Sequence, residues 1–119
     1  MQYALLIYAE LDVVHALPDA EREAARAEML ALAEDPRCLH STWLQGPETA
    51  TSVRVAGGRT LMTDGPFADT KEVLGGFALV ETADLDEMLE LAARVPIARL
   101  GGVVEVRPIV PGPTASDAS

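Results

Sequence analysis

The segment from Asp64 to Glu81 reads DGPFADTKEVLGGFALVE, and the rest of the chain can be placed around it. Its first nine residues, 64–72, combine turn formers with four charged side chains, which predicts a loop. Two glycines then lead into residues 77–81, a short apolar run that predicts a β-strand. The segment is therefore predicted to be a charged loop followed by a β-strand.

A helix and a final strand follow this segment. Asp84 stands three residues before Glu87 at the start of an apolar periodicity, which predicts a helix with a capping box in which Asp is the cap residue. Pro96 ends this helix, and the run 103–107 predicts the last strand. The predicted inner stripe of the helix consists of Leu85, Met88, Leu89 and Ala92.

A hairpin and a strand precede the segment. The dipeptide Gly57-Gly58 separates two strand-like pieces, 52–55 and 60–63, and supplies the positive φ values that a tight β-hairpin requires. Residues 39–45 predict a further strand, because a Gly-Pro pair closes this run. The sequence therefore inserts a hairpin between two longer strands.

The chain opens with a strand and a helix. Residues 3–9 form a continuous apolar run, which is typical of a strand buried on both faces. A helix is predicted from Leu-Pro-Asp at 17–19, because proline is tolerated in a first turn and an acidic side chain suits the positive end of the helix dipole. The Asp-Pro pair at 35–36 ends it. Its predicted inner face consists of Ala25, Met29, Leu32 and Ala33.

The order of these elements predicts the fold class. Two helices interleaved with strands on a short chain favour an α+β protein, a ferredoxin-like split βαβ with a hairpin insertion, an antiparallel sheet and both helices on one face. The other face of the sheet then needs a cover, and the simplest is the same face of a second copy in a two-fold homodimer. We expect one domain over residues 1–110 and a disordered tail over 111–119.

The composition narrows the classes of partner. Nine Lys plus Arg stand against nineteen Asp plus Glu in 119 residues, a formal net charge of −10. The negative electrostatic field that this charge produces repels polyanions, so no direct nucleic-acid binding is expected. No apolar run approaches the roughly 20 residues that span a bilayer, and the apolar N-terminus lacks the basic flank of a signal peptide. The single cysteine, Cys38, cannot form an internal disulfide, and a cytoplasmic location is expected.

The loop 64–72 is the first candidate site. A carboxylate such as Asp64 could act as a base there, and Lys71 could hold an anionic ligand. The alternative is structural, because Asp before Gly-Pro commonly forms a turn and Phe67 could plug a barrel end or a dimer seam. Both interpretations stay open. The predicted ligand-binding residues are Asp64, Phe67, Asp69, Lys71 and Glu72.

His40 is the second candidate, as a catalytic base alongside Asp64. Strand alternation places His40 and Trp43 on opposite faces, and Cys38 on the same face as His40. That spacing would suit a catalytic thiol, although such a cysteine is more often a small buried hydrophobe. His15 is expected in the loop before the first helix. No metal site is predicted, because neither histidine has a second ligand at suitable spacing, and no glycine-rich phosphate cradle points to a cofactor.

The block 63–77 resembles the signature of the DGPF-domain branch of the YCII-related family. The opening residues 3–8, the segment 83–96 and the closing 102–108 also resemble that family, so the likeness covers about residues 1–108. It implies a ferredoxin-like, dimeric α+β barrel of unknown molecular function. At Asp69 the family more often carries Glu.

The resemblance also implies two functional interpretations. Some relatives are fused to, or encoded beside, sigma-70-type transcription factors, which suggests a small dimeric regulatory or ligand-binding module linked to such a factor. The alternative is a cofactor-independent enzyme acting on a small molecule in a barrel pocket near the Asp64–Glu72 loop. The His–Asp dyad that suggests an enzyme in the wider family cannot be carried over, because Val95 stands before Pro96 and the first helix contains no His.

Overall fold

A computed structural model describes residues 1–68 and 70–111. Within them the chain forms one four-stranded sheet, one two-stranded hairpin, three α-helices and two short 3-10 helices, at Pro47–Thr49 and Pro96–Ala98. The predicted tail, 111–119, lies outside the described residues apart from Pro111. The strands and α-helices are β1 (Gln2–Glu10), α1 (Leu11–His15), α2 (Asp19–Ala33), β2 (Cys38–Trp43), β3 (Thr51–Ala56), β4 (Arg59–Asp64), β5 (Glu72–Glu81), α3 (Leu85–Ala93) and β6 (Val103–Pro108).

The sheet confirms the predicted architecture. Its strand order is β2-β5-β1-β6, and every neighbouring pair is antiparallel. The unit β1-α2-β2 is split by β5, and the unit β5-α3-β6 is split by β1, which is the interleaving of a ferredoxin-like α+β fold. The hairpin β3–β4 forms a sheet of its own, inserted between β2 and β5.

The core lies between this sheet and the two longer helices. Alternate residues of β1 and β5 are buried on that side, and Met88 of α3 is fully buried against them. The intervening residues of β1 are only half-buried. The continuous apolar run of β1 therefore reflects two apolar faces, of which the helices bury one. The buried hydrophobic cluster consists of Tyr3, Leu5, Ile7, Ala78, Val80, Met88, Leu91, Ala92 and Val95.

The inner stripe of α3 differs from the prediction. Met88, Leu91 and Ala92 are its buried residues, whereas Leu85 and Leu89 are exposed. The spacing of Met88 with residues i+3 and i+4 fits one face of a helix as well as the predicted spacing does. Packing against the sheet decides which of the two stripes is buried. The prediction was therefore wrong for both leucines.

The start of α3 follows the predicted capping arrangement with one change. The carboxylate of Asp84 accepts a hydrogen bond from the backbone N–H of Glu87 at 2.9 Å. The Glu87 carboxylate accepts in return from the N–H of Ala83, at 3.1 Å, one residue earlier than in a standard capping box. The helix is thus anchored at its first turn from both directions.

The hairpin has the predicted turn. Gly57 and Gly58 adopt φ values of 58° and 75°, the left-handed region that side chains disfavour. Every residue of β3 and β4 except Ser52 is exposed. The hairpin therefore stands apart from the core, whose buried strand residues belong to β1 and β5.

Two smaller observations complete the fold. His15 ends the short helix α1 instead of lying in a loop, so that prediction was wrong, and its side chain is exposed. Among the helices in the described part of the chain, none has the length and apolar character needed to cross a membrane.

Candidate functional site

The structure spreads the predicted loop residues along the connection between the hairpin and β5. Asp64 is the last residue of β4, where it lies opposite Thr51, and its side chain is exposed. Phe67 is 84% exposed, and Lys71 and Glu72 are exposed as well. Asp69 lies outside the described residues.

Backbone hydrogen bonds hold the turn after Asp64. The N–H of Gly65 donates to the carbonyl of Ala50 at 2.8 Å, and the hydroxyl of Ser52 donates to the carbonyl of Gly65 at 2.7 Å. These bonds tie the start of the loop to the root of the hairpin. In the described residues the Asp64 carboxylate is not part of this network, so the turn leaves it available to solvent or to a partner.

Two cavities in the described part of the chain lie away from the 64–72 loop. A space of about 30 Å³ between the helices and the sheet is lined almost entirely by apolar side chains, and Cys38 and Ser41 are also among its lining residues. A larger depression, of about 300 Å³, lies on the surface of α2 among charged side chains. Neither is lined by His40 or by a residue of the 64–72 loop. Neither cavity is therefore the barrel pocket near the Asp64–Glu72 loop that the enzyme interpretation predicts.

A register shift in β2 overturns the predicted relation between Cys38 and His40. In the pairing of β2 with β5, Cys38 lies opposite Val80 but His40 lies opposite Leu79. The extra residue turns Cys38 toward the helices, while His40 stays on the other face. Burial also raises the pKa of the Cys38 thiol, which disfavours the thiolate. The pair is not a catalytic thiol with its base.

Gly76, directly before residues 77–81, has a packing role that the sequence did not reveal. Trp43 lies opposite Gly76, and a Cβ on Gly76 would stand 2.7 Å from Cε3 of the indole and 2.8 Å from the carbonyl oxygen of Thr42. Only glycine therefore allows the ring to cross β5 at this point. The prediction that His40 and Trp43 point to opposite faces is confirmed, since Gly76 also pairs with the buried Ile7.

We call the side of the sheet opposite α2 and α3 the open face, and the strand register defines it. Leu6 lies opposite Phe77 on one side and Glu105 on the other. Tyr8 lies in the same way between Leu74 and Val103, both of which are exposed. The open face consists of Ala4, Leu6, Tyr8, His40, Thr42, Leu74, Phe77, Leu79, Val103, Glu105 and Arg107.

His40 is the polar group that this arrangement places beside an aromatic surface. Its ring centroid lies 6.4 Å from that of Phe77, with the planes tilted by 41°. Thr42 lies directly opposite Phe77, and Glu105, which is half-buried, forms an ion pair with Arg107 at the far edge. The open face thus combines an apolar centre with a few hydrogen-bonding groups.

A separate charged cluster closes the corner between α2 and β2. Arg37 donates to both carboxylate oxygens of Asp35, at 3.0 and 2.8 Å, and to Glu87 at 3.0 Å. These hydrogen bonds lower the pKa of Asp35 to about 2 and lower the pKa of Glu87. The cluster links the end of α2 to the first turn of α3, so its role is to hold the two helices together.

No metal centre forms within residues 1–68 and 70–111, because no three His, Cys, Asp or Glu side chains come together there in a group that could hold an ion.

Comparison with known proteins decides the family. The sequence model of the YCII-related domain matches residues 1–112. The chain belongs to the YCII-related family. An uncharacterized protein of Rhizobium meliloti (strain 1021) is 35% identical to this YCII-related protein over 114 residues, 92% of each chain. The family predicted from the block 63–77 is therefore confirmed.

A solved structure resembles this YCII-related protein in fold. It is 5-chloro-2-hydroxyhydroquinone dehydrochlorinase from Burkholderia phenoliruptrix AC1100, in complex with 2,5-dihydroxybenzoquinone. The TM-score is 0.57, the sequence identity is 16%, and the match covers 94% of this chain and 96% of that one. At this identity the likeness shows a shared fold.

Proposed function

We propose that this YCII-related protein is a homodimer that binds, on its open face beside His40 and Phe77, a small flat ring compound bearing hydrogen-bonding oxygens. The observation that carries the proposal is the position of His40, 6.4 Å from the Phe77 ring on an apolar surface that α2 and α3 leave uncovered. An aromatic ring offers a flat ligand a stacking surface, and an imidazole can both donate and accept hydrogen bonds.

The homodimer supplies what a single copy lacks. Half-buried apolar side chains such as Leu6 and Leu79 remain in contact with water unless a second surface covers them. A two-fold pair of chains would cover both copies at once and exclude water from the ligand. We therefore expect ligand binding and dimerisation to depend on each other.

The fold likeness supports the chemical class of ligand. The structurally similar dehydrochlorinase was solved with 2,5-dihydroxybenzoquinone, a flat ring that carries hydrogen-bonding oxygens. A molecule of that kind suits a surface on which Phe77 offers a ring and His40 and Thr42 offer polar groups.

The test uses 2,5-dihydroxybenzoquinone as the probe and the two histidines as a matched pair. His15 and His40 are the only histidines, so their ring signals can be followed separately by NMR. We expect the probe to shift the His40 signals, and His40→Ala to weaken binding by about tenfold, the effect of losing about 1.4 kcal/mol of contact. His15→Ala, on the exposed end of α1, is expected to bind as the native protein does. Equal effects of the two substitutions, or no binding by a dimeric protein, would contradict the proposal.

A second candidate function is a cofactor-independent enzyme that acts on a small molecule at the same face. It is favoured by the imidazole of His40 next to the Phe77 ring, where a proton could be taken from or given to a bound molecule. Release of chloride from a chlorinated hydroquinone, lost in His40→Ala and retained in His15→Ala, would support it. Release that is unaffected by His40→Ala would exclude His40 from the chemistry.

Three earlier expectations stay predictions. Association with a sigma-70-type factor is tested by co-purification of the two proteins, and failure to form a complex at micromolar concentration would count against it. A cytoplasmic location is tested by cell fractionation. The ligand-binding role of Asp64, Phe67, Asp69, Lys71 and Glu72 requires that a second copy bring the loop near a site.

A further inference from the structure

The cavity of about 30 Å³ between the helices and the sheet plays no part in the proposed function. It lies behind the open face, on the side of the sheet that α2 and α3 cover. Apart from Cys38 and Ser41, every side chain that lines it is apolar. The sheet contributes Leu5, Ile7, Ala78 and Val80 to the lining, and α2 contributes Met29 and Leu32.

The lining offers little to a water molecule. The thiol of Cys38 donates to the backbone carbonyl of His40 at 3.5 Å, so it already has a partner. Among the residues that the structure describes, no buried side-chain nitrogen or oxygen lacks a hydrogen-bond partner. A buried water typically makes about three hydrogen bonds, which the hydroxyl of Ser41 alone does not supply. A cavity of this kind stays dry and accepts uncharged apolar molecules instead.

α2 is the less firmly packed of the two longer helices that cover the sheet. None of its fifteen residues is buried, whereas α3 buries three of its nine. Met29 and Leu32, which line the cavity from α2, are half-buried against the core. An element with few buried contacts is displaced locally at low cost. α2 can therefore move outward without taking a fully buried side chain of its own out of the core.

The middle of α2 is tied down by an exposed ion pair. Arg99, after α3, donates to both carboxylate oxygens of Glu28 at 2.7 and 2.6 Å. The two side chains are 53% and 44% exposed, and pairs as exposed as this contribute little to stability. This contact therefore orients α2 on the sheet and holds it there only weakly.

We propose that this cavity is a binding site for a small uncharged apolar molecule, and that α2 is the wall that moves to admit it. An apolar cavity of about 150 Å³ takes a benzene molecule, so a guest of that size requires α2 to shift outward. The unbranched side chain of Met29 can adapt its shape to the guest. The inference goes beyond the proposed function and does not rest on it, because His40 and Phe77 lie on the other side of the sheet.

The first experiment uses benzene as the probe and the methionine methyl groups as reporters in NMR spectra. Met29 lines the cavity, whereas Met62 is 72% exposed on the hairpin and serves as the control. We expect benzene to shift the Met29 methyl signal and to saturate at about millimolar concentration. Benzoate has the same ring with a charge and should not shift it, because an unpaired buried carboxylate is costly. A Met29 signal that moves no more than that of Met62, or that responds equally to benzoate, would overturn the site.

A pair of alanines tests the position of the guest. Ala78 and Ala9 are both buried on the side of the sheet that faces the helices, but only Ala78 lines the cavity. Ala78→Val should weaken benzene binding by about tenfold or more, because its added methyl groups occupy the space. Ala9→Val should bind benzene as the native protein does. Equal weakening in the two variants would contradict the assignment. Circular dichroism checks their fold, and the methionine measurement on the native chain decides the question if Ala78→Val does not fold.

Hydrogen exchange tests the role of α2. With benzene at ten times its Kd, amides of α2 that exchange through its outward movement should exchange about tenfold more slowly, because the guest stabilises the closed helix by mass action. The hairpin β3–β4 lies apart from the cavity, and its amides should exchange at an unchanged rate. Exchange in α2 that saturating benzene leaves unchanged would show that α2 is not the wall that moves.

Discussion

The two faces of the four-stranded sheet carry similar apolar side chains but have different surroundings. On β1, Leu5 is 3% exposed beneath the helices, while its neighbour Leu6 is half-buried on the open face. Apolar character alone therefore does not make a core, because the helices cover only one side. We call the side of the sheet that α2 and α3 cover the closed face. The difference teaches that the closed face holds the core of the protein, whereas the helices leave the open face uncovered.

The largest expected effect separates the two faces directly. Leu5→Ala should destabilise the protein by about 2–5 kcal/mol at any protein concentration, because it leaves a cavity in a packed core. Leu6→Ala should cost less in dilute solution, since the open face is already in contact with water. Urea unfolding followed by circular dichroism measures both.

Measuring the two stability losses at several protein concentrations sharpens the comparison of the two faces. If the open face closes in a dimer, the cost of Leu6→Ala should grow as concentration rises, while the cost of Leu5→Ala should not. A Leu6→Ala loss as large as that of Leu5→Ala in a dilute monomer would mean that the two faces are equally closed and that the comparison is wrong.

Much of the fold could be predicted because its signals are local. The pair Gly57-Gly58 marks a turn whose φ values only glycine readily adopts, and Asp84 caps the helix that follows it. Apolar runs and prolines delimit the other elements. Each of these features depends on a few consecutive residues, so the sequence contains the whole cause.

The remaining features depend on residues that are distant in sequence. Cys38 changes face because β2 shifts its register against β5, and nothing in the run 39–45 shows that shift. Leu89 is exposed because the sheet selects one of two neighbouring stripes on α3. The candidate site escaped prediction for the same reason, since His40 meets Phe77 only through strand pairing.

The second prediction concerns the edge of the closed face. Gly76→Ala would place a methyl group 2.7 Å from Cε3 of Trp43 and 2.8 Å from a backbone oxygen. We expect a loss of about 1–3 kcal/mol, the usual cost of overpacking, with a change in the fluorescence of the single tryptophan. Gly75→Ala is the matched control, because its Cβ would meet only the Ile7 carbonyl oxygen at 3.9 Å. Gly75 forms a bulge in β5, because Ile7 pairs with Gly76 and Tyr8 with Leu74. A larger loss at Gly75 would show that this bulge, and not the Trp43 ring, requires glycine here.

The smallest expected effect is the loss of stability when Arg37, which links the end of α2 to α3, is replaced. This loss depends on pH. Arg37 lowers the pKa of Asp35 from 3.8 to about 2 by hydrogen bonds to its carboxylate. A carboxyl group whose pKa is lower in the folded state adds stability above its unfolded pKa and loses that stability as the pH falls through its folded pKa. Arg37→Gln should therefore lower the urea midpoint near neutral pH, and the difference should shrink between about pH 4 and pH 2.

An exposed ion pair provides the control for this charge effect. Arg22 pairs with Asp19 through side chains that are 44% and 94% exposed, and such pairs contribute little to stability. Arg22→Gln should therefore leave the midpoint unchanged at every pH. The lowered pKa of Glu87, which also accepts from Arg37, acts in the same direction as that of Asp35. A loss in Arg37→Gln that persists well below pH 2 would mean that the arginine acts by packing its side chain between α2 and α3, because both carboxylates are then protonated.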